Sequence, residues 1–393
     1  MLFIKKCLLK FYKVTFNFML WQIKKEITAS KINYAKTDRV MRKLYFLITL
    51  SVQIADEKKS YLVIDLLKLA FGEKYIRPEE PLHLFSLCNE LIKAKKPVIL
   101  SYLLDAYKPL VRNIDTNQII EIINNLNTLS SLLNKDKQKN YFVSKIITLL
   151  IGNIDYFCKI EPLQIAVAKL VQNIGIIAIK ENDFALFCEI SVCLTKIRSY
   201  LFKANLSFEL SEILNIWFYY ITKKNNVEFI ISYKTMLLEN IKEDDFSAEC
   251  ALRIITKIKD SMLFIERDLD NKFTVMSFLI YEFLAKRALT FNAVQTVNET
   301  IRLTKFIIEK YGLEQAFEIV ILFKLLQLLF TKSTINEKIS LKVVLLLEFI
   351  KVSKNLTTKE NVIEQIHLLL NCEEVTDYNN IITLLREKWL ELK

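Results

Sequence analysis

Along most of the chain apolar residues return every three or four positions with polar residues between them. This is the spacing of one face of an α-helix, not the strict alternation of a half-buried strand. Polar clusters at 135–140, 223–226, 242–245, 268–272 and 332–336 interrupt the pattern and mark loops. The segments between them run about 12 to 20 residues, the ordinary length of paired helices. Thr334 with Glu337 and Thr357 with Glu360 have capping-box spacing, so the threonine hydroxyl and the glutamate carboxylate would satisfy first-turn amides.

An internal echo supports repetition. Glu80-Pro81-Leu82-His83 lies over Glu161-Pro162-Leu163-Gln164 at an offset of 81 residues, with proline placed for the first turn of a helix in both. Each copy then predicts an apolar helix, a charged turn (93–96 and 180–183) and a second helix over 98–110 or 184–197. The first helix differs between the copies by about one turn. The stretch 284–288, with the periodic segment that follows it, reads as a third copy. Hairpins of this size bury their apolar faces by stacking on neighbours. The predicted fold is therefore all-α, a stack of antiparallel helical hairpins forming an irregular α-solenoid without significant sheet. Tetratricopeptide repeats share such an architecture, but their diagnostic residues are missing. The alternative is an irregular multi-helix domain in which the echo is chance.

Composition agrees with helix. Only four glycines and five prolines occur in 393 residues, too few for the turns and bulges of a large sheet. The hydrophobic fraction of 52% raises the question of a membrane span. The most apolar run, 317–330, is short and carries Glu318, Lys324 and Gln327, while 162–179 carries Gln164, Lys169, Gln172 and Asn173. A spanning helix needs about 20 mostly apolar residues, so both read as core helices. The apolar, basic N-terminus reads as a mature helix in preference to a secretory signal. Seven scattered cysteines, Cys7, Cys88, Cys158, Cys188, Cys193, Cys250 and Cys372, suit buried thiols in a reducing compartment.

Charge divides the chain. Residues 1–60 hold 13 basic and 4 acidic side chains, a balance of +9 out of a total of +11, so the remainder is nearly neutral. The organisation expected is a basic, aromatic-rich helical segment over 1–60 and a continuous hairpin array over 61–393. Phe3, Phe11, Tyr12, Phe16, Phe18 and Trp21 interleave with the lysines of the first segment. One reading is a helix whose aromatic side packs on the array while its lysines face water. Another is contact with an anionic surface through Lys5, Lys6, Lys10, Lys13, Lys24, Lys25 and Trp21, with a membrane ahead of RNA as that surface.

Vocabulary for catalysis is sparse. Both histidines close a Glu-x-x-His spacing, Glu80 with His83 and Glu364 with His367, which on a helix aligns two metal ligands. Glu80 precedes Pro81 and His367 sits among Ile363, Ile366 and Leu370, so both pairs are weak candidates and no metal is predicted. Glycine-rich phosphate loops, a Cys-x-x-Cys pair and a serine-nucleophile elbow do not occur. The acidic run Glu243, Asp244 and Asp245 lacks the glycine and spaced ligands of a calcium loop. The chain is therefore expected to be a non-enzymatic, cofactor-free scaffold that binds another protein. A cytoplasmic location is expected, or a peripheral one at a membrane if the basic segment docks there.

Overall fold

The computed structural model describes residues 2–28, 33–53, 56–132, 139–203, 207–241, 247–265 and 271–289, with isolated positions between 299 and 310. Side chains of the first thirteen residues are outside that description. Both predicted capping boxes, the 317–330 run, the acidic run 243–245 and the Glu364–His367 pair also fall outside it.

Every regular element among the described residues is a helix. In chain order these are α1 (Leu2–Ile27), α2 (Tyr34–Gln53), α3 (Glu57–Gly72), α4 (Glu80–Lys93), α5 (Pro97–Leu104), α6 (Tyr107–Val111), α7 (Thr116–Leu132) and α8 (Lys139–Gly152). They continue with α9 (Ile154–Phe157), α10 (Glu161–Glu181), α11 (Phe184–Lys203), α12 (Ser207–Lys224), α13 (Val227–Asn240), α14 (Ala248–Met262) and α15 (Lys272–Leu289). The chain divides into two compact units, residues 1–200 and 201–393.

In the first unit α2 pairs with α3, α4 with α5, and α7 with α8. The first members of these hairpins also pack side by side, α2 on α4, α4 on α7 and α7 on α10. The second members do the same, α1 on α3, α3 on α5 and α5 on α8. Two layers of helices stacked hairpin upon hairpin are the architecture of an α-solenoid. In the second unit α12 pairs with α13 and α14 with α15, while α12 lies on α14 and α13 on α15. First-layer helices begin at Tyr34, Glu80, Thr116 and Glu161, and the second unit's begin at Ser207 and Ala248. The hairpin repeat is thus about 40 residues. The 81-residue echo spans two hairpins, with α7–α8 between its copies.

Periodicity explains the burial. In α14 the buried side chains are Cys250, Ala251, Ile254, Ile255, Ile258, Ser261 and Met262, a single stripe on a helix otherwise open to water. In α10 nearly every apolar side chain from Leu163 to Ile179 is buried. It is the one described helix long and apolar enough to cross a membrane, yet 61% of its apolar window lies inside the protein. Each fully buried Leu or Ile contributes about 1.5–3 kcal/mol, so these stripes dominate the stability of the stack.

Helix starts and stops follow local chemistry. Asp56 accepts from the Lys59 amide, Asn226 from the Glu228 amide and Ser247 from the Cys250 amide. Asp115 and Gln118 form a reciprocal capping box before α7: Asp115 Oδ1 accepts from the Gln118 amide at 2.9 Å and Gln118 Oε1 accepts from the Asp115 amide at 3.3 Å. With few glycines available, helix ends put Lys74, Lys95, Asn182 and Asn225 into the left-handed conformation. At Lys95 and Asn182 the following amides return to Leu91 and Ala178 carbonyls, the six-to-one bond of a Schellman turn.

Two sequence expectations need correction. The helix expected over 98–110 is broken into α5 and α6. Pro109 supplies no N–H and its ring crowds the carbonyl of Asp105, four residues back, where the break falls. The stretch 284–288 offered as a third copy lies inside α15, and most of the segment after it falls outside the described residues. Finally, α4 has 14 residues and α10 has 21, a difference of about two turns instead of one.

Candidate interaction surfaces

α1 packs on α2 and α3. Its inward side chains include Phe16, Ile23 and Ile27, all buried. The opposite face carries Val14, Phe18 and Trp21, which are 71%, 56% and 58% exposed. Phe18 and Trp21 stack with ring centroids 6.2 Å apart, and Lys25 Nζ lies 5.3 Å from the Trp21 ring. Lys24 and Lys25 are themselves exposed. The expectation that the aromatic side packs inward therefore holds for Phe16 and fails for Phe18 and Trp21. The single carboxylate of α1, Glu26, is held by Lys43 of α2 at 3.0 Å, so it does not offset the exposed lysines. Lys5, Lys6, Lys10 and Lys13 lie on the same helix, with side chains outside the description.

Glu80 and His83 belong to a buried charge cluster at the junction of α2 and α4. The Arg77 guanidinium, 4% exposed, pairs through Nε with Glu80 Oε1 and reaches Asp38 Oδ1 through Nη1 at 3.0 Å. Its Nη2 stands 3.2 Å from His83 Nδ1, and Tyr45 donates its hydroxyl to Glu80 Oε2 at 2.7 Å. Tyr45 also tilts against the His83 ring with centroids 5.6 Å apart. Glu80 thus has one carboxylate oxygen on a guanidinium and the other on a phenol. Burial raises its pKa above the ordinary carboxylate range, and the two hydrogen bonds pull the other way. Asp38 is held below its ordinary value, chiefly by its hydrogen bond with Arg42. This arrangement binds two helices together and leaves Glu80 and His83 facing Arg77. Among the described residues no group of three or more His, Cys, Asp or Glu side chains is arranged to hold a metal.

The same layer is joined helix to helix by polar side chains. Tyr45 to Glu80 links α2 and α4; the Asn125 amide donates to the Pro81 carbonyl at 3.3 Å and links α7 to α4. Asn173 donates to Asn127 Oδ1 at 2.8 Å and links α10 to α7. In the second unit Glu212 of α12 accepts from Arg253 at 2.9 Å and from Lys257 at 2.7 Å on α14. Sequence reading missed Asp38, Tyr45 and Arg77. The spacing of Asp38 and Arg42 was its one visible trace, since residues four apart share a helix face.

Cys88, Cys158, Cys193 and Cys250 are buried and unpaired, as the scattered cysteine pattern implied, while Cys188 is half-buried. Burial pushes each of the four buried thiols up to about 12, so they are protonated and unreactive at neutral pH.

No protein-family model matches the chain, and no curated protein matches it. A solved structure described as a circular tandem repeat protein with novel repeat topology and enhanced subunit contact surfaces is similar over 98% of this chain and 95% of its own, at 12% identity and a TM-score of 0.28.

Proposed function

We propose that the chain is a non-enzymatic helical scaffold whose hairpin stack presents an extended surface to another protein. The supporting observation is a recurrence. Phe46 on α2 and Leu82 on α4 stand out from one layer, 57% and 54% exposed, and Leu62 on α3 and Val98 on α5 from the other, 54% and 58% exposed. Large apolar side chains repeated along an array at more than half exposure suit a partner that covers several hairpins at once. Tyr45, Asn125 and Asn173 of the first layer, by contrast, are engaged in joining one helix to the next.

The test is a partner complex whose contacts are mapped by crosslinking and mass spectrometry. Serine at Phe46 and Leu82, or at Leu62 and Val98, according to the layer the crosslinks mark, should abolish the complex while leaving the unfolding midpoint in place. A specific turnover by the purified chain that disappears in Glu80→Gln or His83→Ala variants of unchanged stability would overturn the reading.

A further inference from the structure

α1 exposes Val14, Phe18 and Trp21 at positions i, i+4 and i+7, a line of apolar side chains along one face. We infer that this face of α1, with Lys24 and Lys25 beside it, docks on an anionic lipid bilayer. The inference is independent of the scaffold reading, which concerns the array.

Charge selects the occupant. α1 carries six lysines against one glutamate, and Glu26 is already paired with Lys43, so the exposed charge beside the aromatic line is positive. A second copy seated on this face would bring lysines against lysines, which opposes a symmetric dimer. A hydrophobic groove in a folded partner would have to strip water from Lys25, which continues the line at position i+11, and from Lys24 beside it. A bilayer does not. Phe and Trp rings settle among the lipid headgroups, lysine stems follow the apolar surface, and the ammonium groups reach lipid phosphates and carboxylates. With six lysines in 26 residues the helix lies along the membrane plane and does not cross it.

The experiment uses the full chain with vesicles of phosphatidylcholine alone and of phosphatidylcholine mixed with phosphatidylserine. Co-sedimentation is expected with the mixed vesicles only, falling about fivefold for each lysine removed and more than tenfold in the Lys24→Glu/Lys25→Glu double variant. The Phe18→Ser/Trp21→Ser variant should also lose binding. In a Trp389→Phe background, brominated lipid should quench a component of the tryptophan emission that disappears on adding Trp21→Phe, because the remaining Trp217 is buried in the second unit. All four residues replaced in the double variants are exposed, so unchanged unfolding midpoints will separate lost docking from lost folding. Equal binding to both vesicle types, or wild-type binding by both double variants, overturns the inference. So does a dimer in sedimentation that Phe18→Ser/Trp21→Ser converts to monomer. Tighter binding to polyuridylate that Lys24→Glu/Lys25→Glu abolishes and Phe18→Ser/Trp21→Ser leaves alone would assign the lysines to RNA and equally reject it.

Discussion

α4 and α10 open with the same three residues, Glu-Pro-Leu, and bury opposite sides of them. In α4 Glu80 and Pro81 are buried and Leu82 is 54% exposed. In α10 Glu161 and Pro162 face water, while Leu163 and Gln164 are buried. Proline in the first turn serves both helices alike, since the N–H it lacks would be unpaired there anyway. What differs is the rotation of the helix about its axis, which local sequence does not set. The shared tripeptide is a signal for starting a helix, and the side it turns to the core is decided by what arrives from elsewhere. For α4 that is α2, whose Asp38 and Tyr45 meet Arg77 and Glu80; for α10 it is α7, whose Asn127 Oδ1 accepts from Asn173 at 2.8 Å, while Gln164 Nε2 donates to the nearby Cys158 carbonyl at 2.9 Å.

The largest predicted effect tests the charge side of that contrast. Arg77→Ala leaves Glu80 buried without its cation and should cost about 3–5 kcal/mol in urea unfolding. Glu161→Ala loses only a favourable carboxylate at a helix start and should cost about 0.3–1 kcal/mol. The Arg77→Ala penalty should also depend on pH. Without the guanidinium the folded-state pKa of Glu80 rises further above its unfolded value, so the carboxyl destabilises the fold above that raised pKa and ceases to do so below the unfolded one. Unfolding midpoints of the variant should therefore recover relative to wild type as pH falls through the raised value, and adding Glu80→Gln should abolish that recovery. A penalty independent of pH would mean that Arg77 acts through packing and not through Glu80.

The next effect tests the apolar side. Leu163→Ala should cost about 2–5 kcal/mol, whereas Leu82→Ala, at a site more than half exposed, should stay within about 0.5 kcal/mol of wild type. Similar losses at both sites would show that Leu82 is covered in solution, and so that the two helices are not rotated as described.

Much of this fold was legible because it depends on period. The all-helical class, the hairpin plan and the turns after α4 and α10 follow from apolar spacing and from the charged clusters, which are local signals. The repeat length was doubled, because α7 lacks the Glu-Pro-Leu start and begins instead with Asp115 and Gln118, a capping box built from Asp and Gln where only threonine with glutamate was considered. Pro109 stood inside an apolar run and its break at Asp105 could have been read from the sequence. The charge cluster could not: Asp38 and Glu80 are 42 positions apart, and only stacking α2 on α4 brings both to Arg77. The exposed ring of Trp21 was legible in kind, through its lysine neighbours, but not in direction, since periodicity alone did not choose between the two sides of a helix with aromatic residues on both.

A smaller effect probes the buried amide that stands where α4 has His83. Gln164→Ala should cost about 1 kcal/mol, near the low end for a buried hydrogen bond. The Oε1 atom of Gln164 is buried without a partner, so truncation removes an unsatisfied acceptor along with the bond to Cys158. A loss of 3 kcal/mol or more would place an ordered water on that oxygen.

The smallest effect returns to what the two helices share, the turn that ends them. Lys95 and Asn182 occupy the same position of the same Schellman turn, at φ of 53° and 60°. A side chain there is strained by its Cβ, and asparagine bears the left-handed region better than lysine does. Glycine removes the strain but gains more freedom in the unfolded chain, which offsets part of the benefit. Lys95→Gly should therefore raise stability by about 0.5–1 kcal/mol, and Asn182→Gly by less, read from urea midpoints at unchanged slope. Because neither change touches the rotation of its helix, the gains should add in the double variant. A larger gain at Asn182 than at Lys95 would show that the turns differ as well as the faces, leaving the proline start as the one feature the copies hold in common.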